Sequence, residues 1–249
     1  MYWMDNINVV LCLAGKGQRF VDAGINQPKF LLKNNENESI LELILNNLLK
    51  ARIKKIFLLL NKRHLHYETE IREIASKYKR IKSEIFFIND TNGQADTAFI
   101  GVNLILDIHP SIKFEPVAFH NGDTIICNRQ FNKFFDDDDY DWIGMIDTFY
   151  SNDPAFSYVK SNSKEIIEIK EKQVISNMAT TGFYLFKNFN TYIEIYKECN
   201  FHGHESYISD IYRKIIAKGL KIYNLHNENP KDTIVLGTPE EYFNWLKSG

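Results

Sequence analysis

The stretch Ile7-Asn8-Val9-Val10-Leu11-Cys12-Leu13, followed by Ala14-Gly15-Lys16-Gly17-Gln18-Arg19-Phe20, decides the fold. Its first half is a short, almost continuous apolar run, which is typical of a strand buried on both faces of a parallel sheet. In the second half, two glycines allow a tight turn and a close approach to the backbone, because they have no Cβ. The stretch therefore predicts a buried strand that leads directly into a glycine-containing loop.

Strands and helices alternate through the rest of the first 150 residues. Ser39 and Glu42 have the spacing of a capping box, which predicts a helix that begins there and ends near Arg52. The patterns predict further helices at 67–78 and 95–106, and strands at 55–60, 84–88, 116–120 and 142–146. Such alternation indicates βαβ units with right-handed crossovers.

The later segment of the chain has a different pattern. It predicts strands at 156–159, 165–169, 181–186 and 220–225, and helices at 189–198, 206–217 and 239–246. The first two strands leave no room for a helix between them, which indicates a small antiparallel addition. We therefore predict an α/β fold with a Rossmann-like, doubly wound, mixed but mostly parallel sheet. The chain is expected to form a single domain, 1–249, with two regions at 1–150 and 151–249.

The composition excludes several classes of protein. The chain is 44% hydrophobic and 25% charged, as globular proteins are, and its formal net charge is −2. This balance gives no general attraction to nucleic acid or to anionic membranes. The apolar runs, such as 56–60, are too short to span a bilayer, and the N-terminus lacks the basic residues of a signal peptide. Three scattered cysteines argue against a disulfide framework. We expect a cytoplasmic protein.

The glycine loop has the features of a phosphate site. Free backbone N–H groups there form a concavity for phosphate oxygens, and Arg19 and Lys16 add charge-assisted donors. Lys29 follows soon enough to reach the same phosphates, and two cations can offset a triphosphate and stabilise leaving pyrophosphate. A plain strand-to-helix turn also explains the glycines alone. The loop lacks the Gly-Lys-Ser/Thr of a Walker motif, and Phe20 breaks the dinucleotide Gly-x-Gly-x-x-Gly pattern.

Several segments together resemble one enzyme family. Leu13–Phe20 followed by Pro28–Leu32 resembles the signature of the nucleotidyltransferases that make nucleotide-activated sugars and alcohols. Segments similar to that family follow in its order at 92–98, 121–123, 171–172, 181–186 and 236–242, so the resemblance spans most of the chain. Within the family, the compact first loop is more similar to capsule-pathway cytidylyltransferases that act on choline phosphate. The segments at 157–159 and 176–179 are similar to those that act on phosphoglutamine.

The resemblance implies a role for each matching residue. Arg19 and Lys29 are implied as catalytic residues. Nucleotide binding is implied for Leu13, Ala14, Gly15, Lys16, Gly17, Gly93, Gln94 and Asn121. Glu171, Lys172 and Gly182 are implied to bind the acceptor, so the antiparallel addition would lie on the acceptor side. Glu205 precedes a predicted helix near this pocket, where it can meet an ammonium or hydroxyl group of the acceptor. It can equally be a first-turn acid stabilised by the helix dipole.

The resemblance also implies Mg²⁺, with Asp123 as a ligand. Val235 stands where the family often has an aspartate, and Asp232 is the nearest acid in that loop. Either Asp232 serves as a second ligand or one protein carboxylate suffices. The run Asp136–Asp139 is expected to be a solvated acidic loop rather than a calcium site. His202 and His204 are expected to be polar loop residues rather than zinc ligands, because the sequence offers no third ligand at a suitable spacing.

The leading hypothesis is a Mg²⁺-dependent nucleotidyltransferase. It would join a nucleoside triphosphate, taken to be CTP, to a small phosphate monoester such as phosphoglutamine or another capsule precursor, and release pyrophosphate. One alternative is a sugar-1-phosphate uridylyl- or thymidylyltransferase. Others are a nucleotide-sugar glycosyltransferase, which usually carries an Asp-x-Asp pair, and an inactive homologue that senses nucleotide. The expected partners are the two substrates, without nucleic acid or membrane, and a homo-oligomer is left open.

Overall fold

The computed structural model describes residues 7–50, 53–129, 141–201 and 205–248. The strands are β1 (Ile7–Leu13), β2 (Ile53–Asn61), β3 (Lys82–Ile88), β4 (Val117–Asn121), β5 (Thr124–Ile126), β6 (Trp142–Tyr150), β7 (Tyr158–Asn162), β8 (Glu165–Lys170), β9 (Met178–Phe186), β10 (Lys221–His226) and β11 (Thr233–Val235). The helices are α1 (Gln18–Asp22), α2 (Ile40–Leu48), α3 (Glu68–Lys77), α4 (Gln94–Ile108), α5 (Phe189–Glu198), α6 (Ile208–Ala217) and α7 (Pro239–Ser248). Within these ranges, no helix has the length and apolar character needed to cross a membrane.

Nine of these strands form one sheet in the order β3-β2-β1-β4-β9-β6-β10-β8-β7. β1 pairs in parallel with β2 and β4, and β10 pairs in parallel with β6. β9 lies antiparallel between β4 and β6, and the β7–β8 hairpin forms an antiparallel edge. The predicted fold class is therefore confirmed, including the small antiparallel addition.

Helices cover both faces of the sheet. On one face, residues of α2, α3 and α7 form a buried cluster with alternate residues of β1, among them Val9 and Leu11. On the other face, α4, α5 and α6 pack around Val10 and Phe119. Because both faces are buried, consecutive residues of β1 are apolar, and this is the pattern that predicts the strand from the sequence.

Helix α2 begins with the predicted capping box. The backbone N–H of Glu42 donates to Ser39 Oγ at 3.2 Å, and the backbone N–H of Ser39 donates to Glu42 Oε2 at 2.8 Å. These two bonds satisfy donors that the first turn of a helix otherwise leaves unpaired. The helix ends at Leu48, somewhat earlier than predicted.

A second, two-stranded sheet joins distant segments of the chain. β5 and β11 pair in antiparallel fashion, with Thr124 opposite Val235 and Ile126 opposite Thr233. Each strand has three residues, which is too short to give a periodic signal in the sequence. This pairing attaches the C-terminal segment of the chain to the turn that follows β4.

Candidate active site

The described residues surround a cleft of about 1260 Å³ at the C-terminal ends of the parallel strands. This is where open α/β sheets usually place ligand sites, because the loops leave a crevice there. All the predicted site residues except Lys172 and Asp232 line it. They are Leu13, Ala14, Gly15, Lys16, Gly17, Arg19, Lys29, Gly93, Gln94, Asn121, Asp123, Glu171, Gly182 and Glu205.

The loop after β1 forms one wall of the cleft. Gly17 has a φ of 62°, in the left-handed region that favours glycine, and α1 begins directly after it. A Cβ added at Gly15 or Gly17 would meet nothing within 4 Å, so both glycines leave this face of the loop open. Lys16 and Arg19 are exposed on the same wall. The loop can therefore present backbone donors and two positive charges to an anion.

Lys29 and Asp123 form an ion pair in the cleft. The distance between Lys29 Nζ and Asp123 Oδ2 is 2.6 Å, and about a quarter of each side chain is exposed, at 25% and 23%. Burial raises the pKa of Asp123, but the nearby Lys29 ammonium outweighs this effect and holds the pKa below its ordinary value. Asp123 is therefore an ionised carboxylate whose charge is balanced by the lysine.

Asp123 lies in the turn between β4 and β5. The β5–β11 sheet holds this turn, and the backbone N–H of Leu236 donates to the Asp123 carbonyl at 2.7 Å. A Cβ added at Gly237 would lie 3.5 Å from Asp123 Oδ2 and 3.6 Å from Glu241 Oε2. The carboxylate of Asp123 thus faces a space that the absence of a side chain at Gly237 keeps open.

Asp232 does not join Asp123 in the cleft, so the structure does not support the prediction of a second metal carboxylate. Asp232 is 9% exposed, and its carboxylate accepts hydrogen bonds from Asn128 Nδ2 at 2.9 Å and Asn227 Nδ2 at 3.4 Å. It precedes β11, whereas Val235, at the far end of that strand, lines the cleft. Asp232 comes just before this three-residue strand and Val235 ends it, so the two residues lie in different surroundings, which sequence distance alone did not show.

The residues of the cleft fit a Mg²⁺ ion that is held together with a substrate. The described ranges contain no group of three or more His, Cys, Asp or Glu residues that could hold a metal. Mg²⁺ commonly uses one or two carboxylates, substrate phosphates and water, so Asp123 beside the glycine loop after β1 suits it.

The Asp136–Asp139 run, His202 and His204 lie outside the described residues. Asp141, which could complete an Asp-x-Asp pair, forms an ion pair with Lys221 and does not line the cleft.

The segment before α4 forms a second wall and packs against the segment before α6. The backbone N–H of Ser206 donates to the Asn92 carbonyl at 2.8 Å, and the backbone N–H of Ala95 donates to the Ser206 carbonyl at 3.1 Å. Gly93 has a φ of 118°, and a Cβ there would lie 2.5 Å from the Ser206 oxygen and 2.7 Å from Glu205 Cγ. Glycine is therefore required at this position for two independent reasons.

Gly93→Ala is expected to displace the segment that carries Gln94 and to lower triphosphate affinity at least about tenfold, because clash and backbone strain of this kind each cost about 1 kcal/mol or more. Calorimetric titration with triphosphate measures the effect. Gly24→Ala is a control for the φ effect, since Gly24 also has a positive φ, of 80°, but no atom lies within 4 Å of an added Cβ. Equal triphosphate affinity in Gly93→Ala and the native protein would contradict the assignment of this segment to the nucleotide.

A third wall carries the predicted acceptor residues. The Glu171 carboxylate accepts hydrogen bonds from Ser157 Oγ and, at 2.7 Å, from Ser209 Oγ. Lys172 has a φ of 51°, and its ammonium donates to the Tyr207 hydroxyl at 2.7 Å. Lys172 itself does not line the cleft, but Tyr207 does. The Lys172 ammonium therefore contacts the side chain of a residue that lines the cleft.

A buried ion pair connects the segment after β5 to β6. Arg129 Nε and Nη2 donate to the two carboxylate oxygens of Asp147 on β6, at 2.8 and 3.1 Å, and Nη2 also donates to Thr233 Oγ1 at 2.9 Å. Only 7% of the Arg129 side chain and none of Asp147 are exposed. Burial raises the pKa of Asp147, and Arg129 opposes the shift. The pair joins β6 to β11, and so supports the small sheet that holds Asp123.

The cleft also contains residues that sequence reasoning missed. Arg63 and Asp90 follow β2 and β3, form an ion pair and line the cleft, and Asn61 Nδ2 donates to Asp90 at 2.7 Å. Arg63 and Asp90 could have been found from the sequence, because they follow parallel strands, where ligand sites of such sheets lie. Ser206 and Tyr207 gave no such signal, because their partners are distant in sequence.

Comparisons with known proteins agree with this geometry. A family model described as nucleotidyl transferase matches residues 8–247. A search of curated proteins gives no match. The chain is similar to a nucleoside-diphosphate-sugar pyrophosphorylase from Vibrio cholerae RC9, with a TM-score of 0.82 and 23% identity over 96% of this chain and 99% of that chain.

Two further solved structures share the fold at lower identity. One is a putative glucose-1-phosphate thymidylyltransferase from Bacillus anthracis, with a TM-score of 0.79 and 16% identity over 98% of this chain and 94% of that chain. The other is an inositol-1-phosphate CTP transferase from T. maritima, with a TM-score of 0.72 and 13% identity over 99% and 96% of the two chains. Identities this low establish a common fold and nothing finer.

Proposed function

The chain belongs to the nucleotidyl transferase family, and on that premise we propose that it transfers CMP from CTP to a small phosphate monoester and releases pyrophosphate. Phosphoglutamine or another capsule precursor is the proposed acceptor. The choice of CTP and of the acceptor rests on the compact first loop and on the segments near residues 157 and 176. We also propose that, within one domain of residues 1–249, residues 1–150 bind the nucleotide and residues 151–249 bind the acceptor.

One observation carries the proposal: two cations, Arg19 and Lys29, and the ionised carboxylate of Asp123 lie in the same cleft. Lys29 contacts Asp123 at 2.6 Å, and Arg19 lies on the adjacent wall. Positive charges and an acid that can hold a metal are what transfer between phosphates requires, since such chemistry depends on positioning and on charge neutralisation. The wall with Glu171 and Tyr207 faces the same space and leaves room for a second substrate.

The proposed reaction needs no general base. The second pKa of a phosphate monoester is about 6, so the acceptor is largely dianionic near neutral pH. One of its oxygens forms a bond to the α-phosphorus of the triphosphate as the bond to pyrophosphate breaks. The loop backbone holds the phosphates in place, and Arg19 and Lys29 stabilise the charge that develops on the leaving pyrophosphate. Lys172 binds the acceptor phosphate.

Asp123 is the residue proposed to hold Mg²⁺. When bound, Mg²⁺ would neutralise phosphate charge and polarise the reacting phosphoryl group. Asp123 would then hold the ion in place of its contact with Lys29, and Lys29 would contact the phosphates. Asp123 alone is proposed as a ligand from the protein, because Asp232 lies outside the cleft.

A matrix of substrates tests the proposal. The protein is incubated with Mg²⁺, each of the four common nucleoside triphosphates, and choline phosphate, phosphoglutamine or glucose 1-phosphate. We expect acceptor-dependent pyrophosphate release with CTP. Release that requires UTP or dTTP and a sugar 1-phosphate would instead identify a uridylyl- or thymidylyltransferase. Transfer of a sugar from a nucleotide sugar, without pyrophosphate, would contradict the proposed reaction.

Arg19→Ala and Lys29→Ala are each expected to lower turnover by about 10²-fold, the size of losing one preorganised charge contact in a transition state. Arg19 is exposed, so Arg19→Ala should change thermal unfolding little, whereas Lys29→Ala also leaves Asp123 without its counterion. Arg72→Ala is the matched control, because Arg72 is an exposed helical cation paired with Glu68 and does not line the cleft. Native turnover in both cleft variants would disprove the phosphate-loop assignment.

A further inference from the structure

The segment Glu205-Ser206-Tyr207 connects the proposed nucleotide wall to the proposed acceptor wall. Ser206 makes its contacts on the nucleotide side. In addition to its two backbone bonds, its hydroxyl donates to the Asn92 carbonyl at 2.9 Å and accepts from the backbone N–H of Asp96 at 3.1 Å. Ser206 is 1% exposed. This residue therefore fixes the segment firmly to the start of α4.

Tyr207, the next residue, makes its contacts on the acceptor side. Its hydroxyl oxygen accepts from Lys172 Nζ at 2.7 Å, and its own O–H donates to Glu205 Oε2 at 2.6 Å. The ammonium also lies over the tyrosine ring, 4.7 Å from the centroid. The direction of these hydrogen bonds is fixed, because an ammonium can only donate and an ionised carboxylate can only accept. The carboxylate polarises the hydroxyl and makes its oxygen a stronger acceptor.

Lys172 has a particular need for such support. The residue is exposed, its backbone is in the left-handed region, and it does not line the cleft. A free lysine side chain loses rotamer entropy when it is fixed. A contact that already fixes the ammonium at the cleft removes some of this cost before the acceptor binds.

We propose that Tyr207 is a positioning residue that holds the Lys172 ammonium at the cleft for the acceptor phosphate. Ser206, the neighbouring residue, anchors Tyr207 to the nucleotide wall. The proposal rests on the proposed function, since it assigns the acceptor phosphate to Lys172. Glu205 then acts through the tyrosine hydroxyl. The sequence left two roles open for Glu205, contact with the acceptor or a first-turn acid, and this role differs from both. The ammonium has three N–H donors, and Tyr207 takes one of them.

The kinetic test compares Tyr207→Phe, Lys172→Ala and the double variant, with CTP and either choline phosphate or phosphoglutamine. Tyr207→Phe keeps the ring and removes the hydroxyl. We expect it to raise the acceptor KM about tenfold, as loss of one charge-assisted hydrogen bond would, with kcat within about twofold and the calorimetric CTP affinity unchanged. Because the hydroxyl acts through the lysine, the double variant should match Lys172→Ala.

Tyr223→Phe is a matched control. The Tyr223 hydroxyl also donates to a carboxylate, Asp141 at 3.2 Å, which a lysine contacts as well, but Tyr223 does not line the cleft. It should leave the acceptor KM unchanged. A native acceptor KM in Tyr207→Phe, or additive effects of the two single changes, would overturn the positioning role. An unchanged KM in Lys172→Ala would overturn it together with the acceptor assignment.

A second measurement does not need turnover. In protein with ¹³C- and ¹⁵N-labelled lysines, which keep all three N–H donors, the Lys172 signal is assigned by its loss in Lys172→Arg and followed against pH and against added inorganic phosphate. The Tyr207 hydroxyl raises the pKa of Lys172, so Tyr207→Phe should lower this pKa and weaken the phosphate-induced shift. Identical titrations in the two proteins would overturn the proposal, even where no acceptor is turned over and the proposed function itself has failed.

Discussion

Asp123→Asn is expected to lower Mg²⁺-dependent turnover by about 10³-fold or more, the largest catalytic effect that we expect from a single substitution. The change keeps the shape of the side chain and removes the charge that is proposed to hold the ion, and a catalytic metal supplies several kcal/mol of stabilisation to the transition state. It also leaves Lys29 without the carboxylate that it contacts at 2.6 Å. Pyrophosphate release measured across a range of Mg²⁺ concentrations gives the effect directly.

Two further acids serve as controls for this result. Asp141→Asn removes an acid that is paired with a lysine outside the cleft, and its turnover should be native. Asp232→Asn should keep the native dependence on Mg²⁺, because Asp232 contacts Asn128 and Asn227 rather than the cleft. A weakened Mg²⁺ dependence in Asp232→Asn would restore the two-carboxylate site. Native turnover in Asp123→Asn would remove the basis of the proposed mechanism.

Arg129→Met is expected to lower the free energy of unfolding by about 3–5 kcal/mol, since it leaves the buried Asp147 carboxylate without its counterion. Asp147 is fully buried and receives two hydrogen bonds from the guanidinium. Urea unfolding followed by circular dichroism measures the loss. A double variant, Arg129→Met with Asp147→Leu, should recover much of it, because an apolar pair avoids the uncompensated charge.

The pH dependence of this loss has a defined sign. Burial raises the pKa of Asp147, and removing Arg129 takes away the charge that opposes the shift. The folded variant then binds a proton that the unfolded chain releases, so its stability falls as the pH rises through the raised pKa. The deficit of Arg129→Met should therefore be smallest in mildly acidic buffer. A deficit of constant size across pH would show that lost packing, and not the buried charge, dominates.

Local chemistry explains which elements of the fold could be predicted. β1 is found at the predicted residues because a strand buried on both faces must be apolar at consecutive positions. Ser39 and Glu42 form the predicted capping box because that motif depends only on residues three apart. The loop from Leu13 to Arg19 lines the cleft for a similar reason, since it directly follows a parallel strand.

Features that depend on distant partners could not be predicted in this way. The sequence suggested Asp232 from its distance to Val235, but the β5–β11 pairing places the two residues in different surroundings. Tyr207 gave no signal, because its role follows from a hydrogen bond to Lys172, which is 35 positions away. Arg129 likewise gains its importance from burial against Asp147 on another strand.

The long separation of the partners around Asp123 has a consequence for synthesis of the protein on the ribosome. Arg129 and Thr233 are 104 positions apart, and the Tyr242 hydroxyl, in α7, donates to the carbonyl of Lys33, 209 positions earlier. Domains emerge N-terminus first, so the nascent chain can pair β1 with β2 and β4 long before β11 exists. The turn that carries Asp123 gains its strand partner only when residues 233–235 have been translated. The glycine loop after β1 therefore does not depend on this late segment, whereas the turn of Asp123 cannot be completed without it.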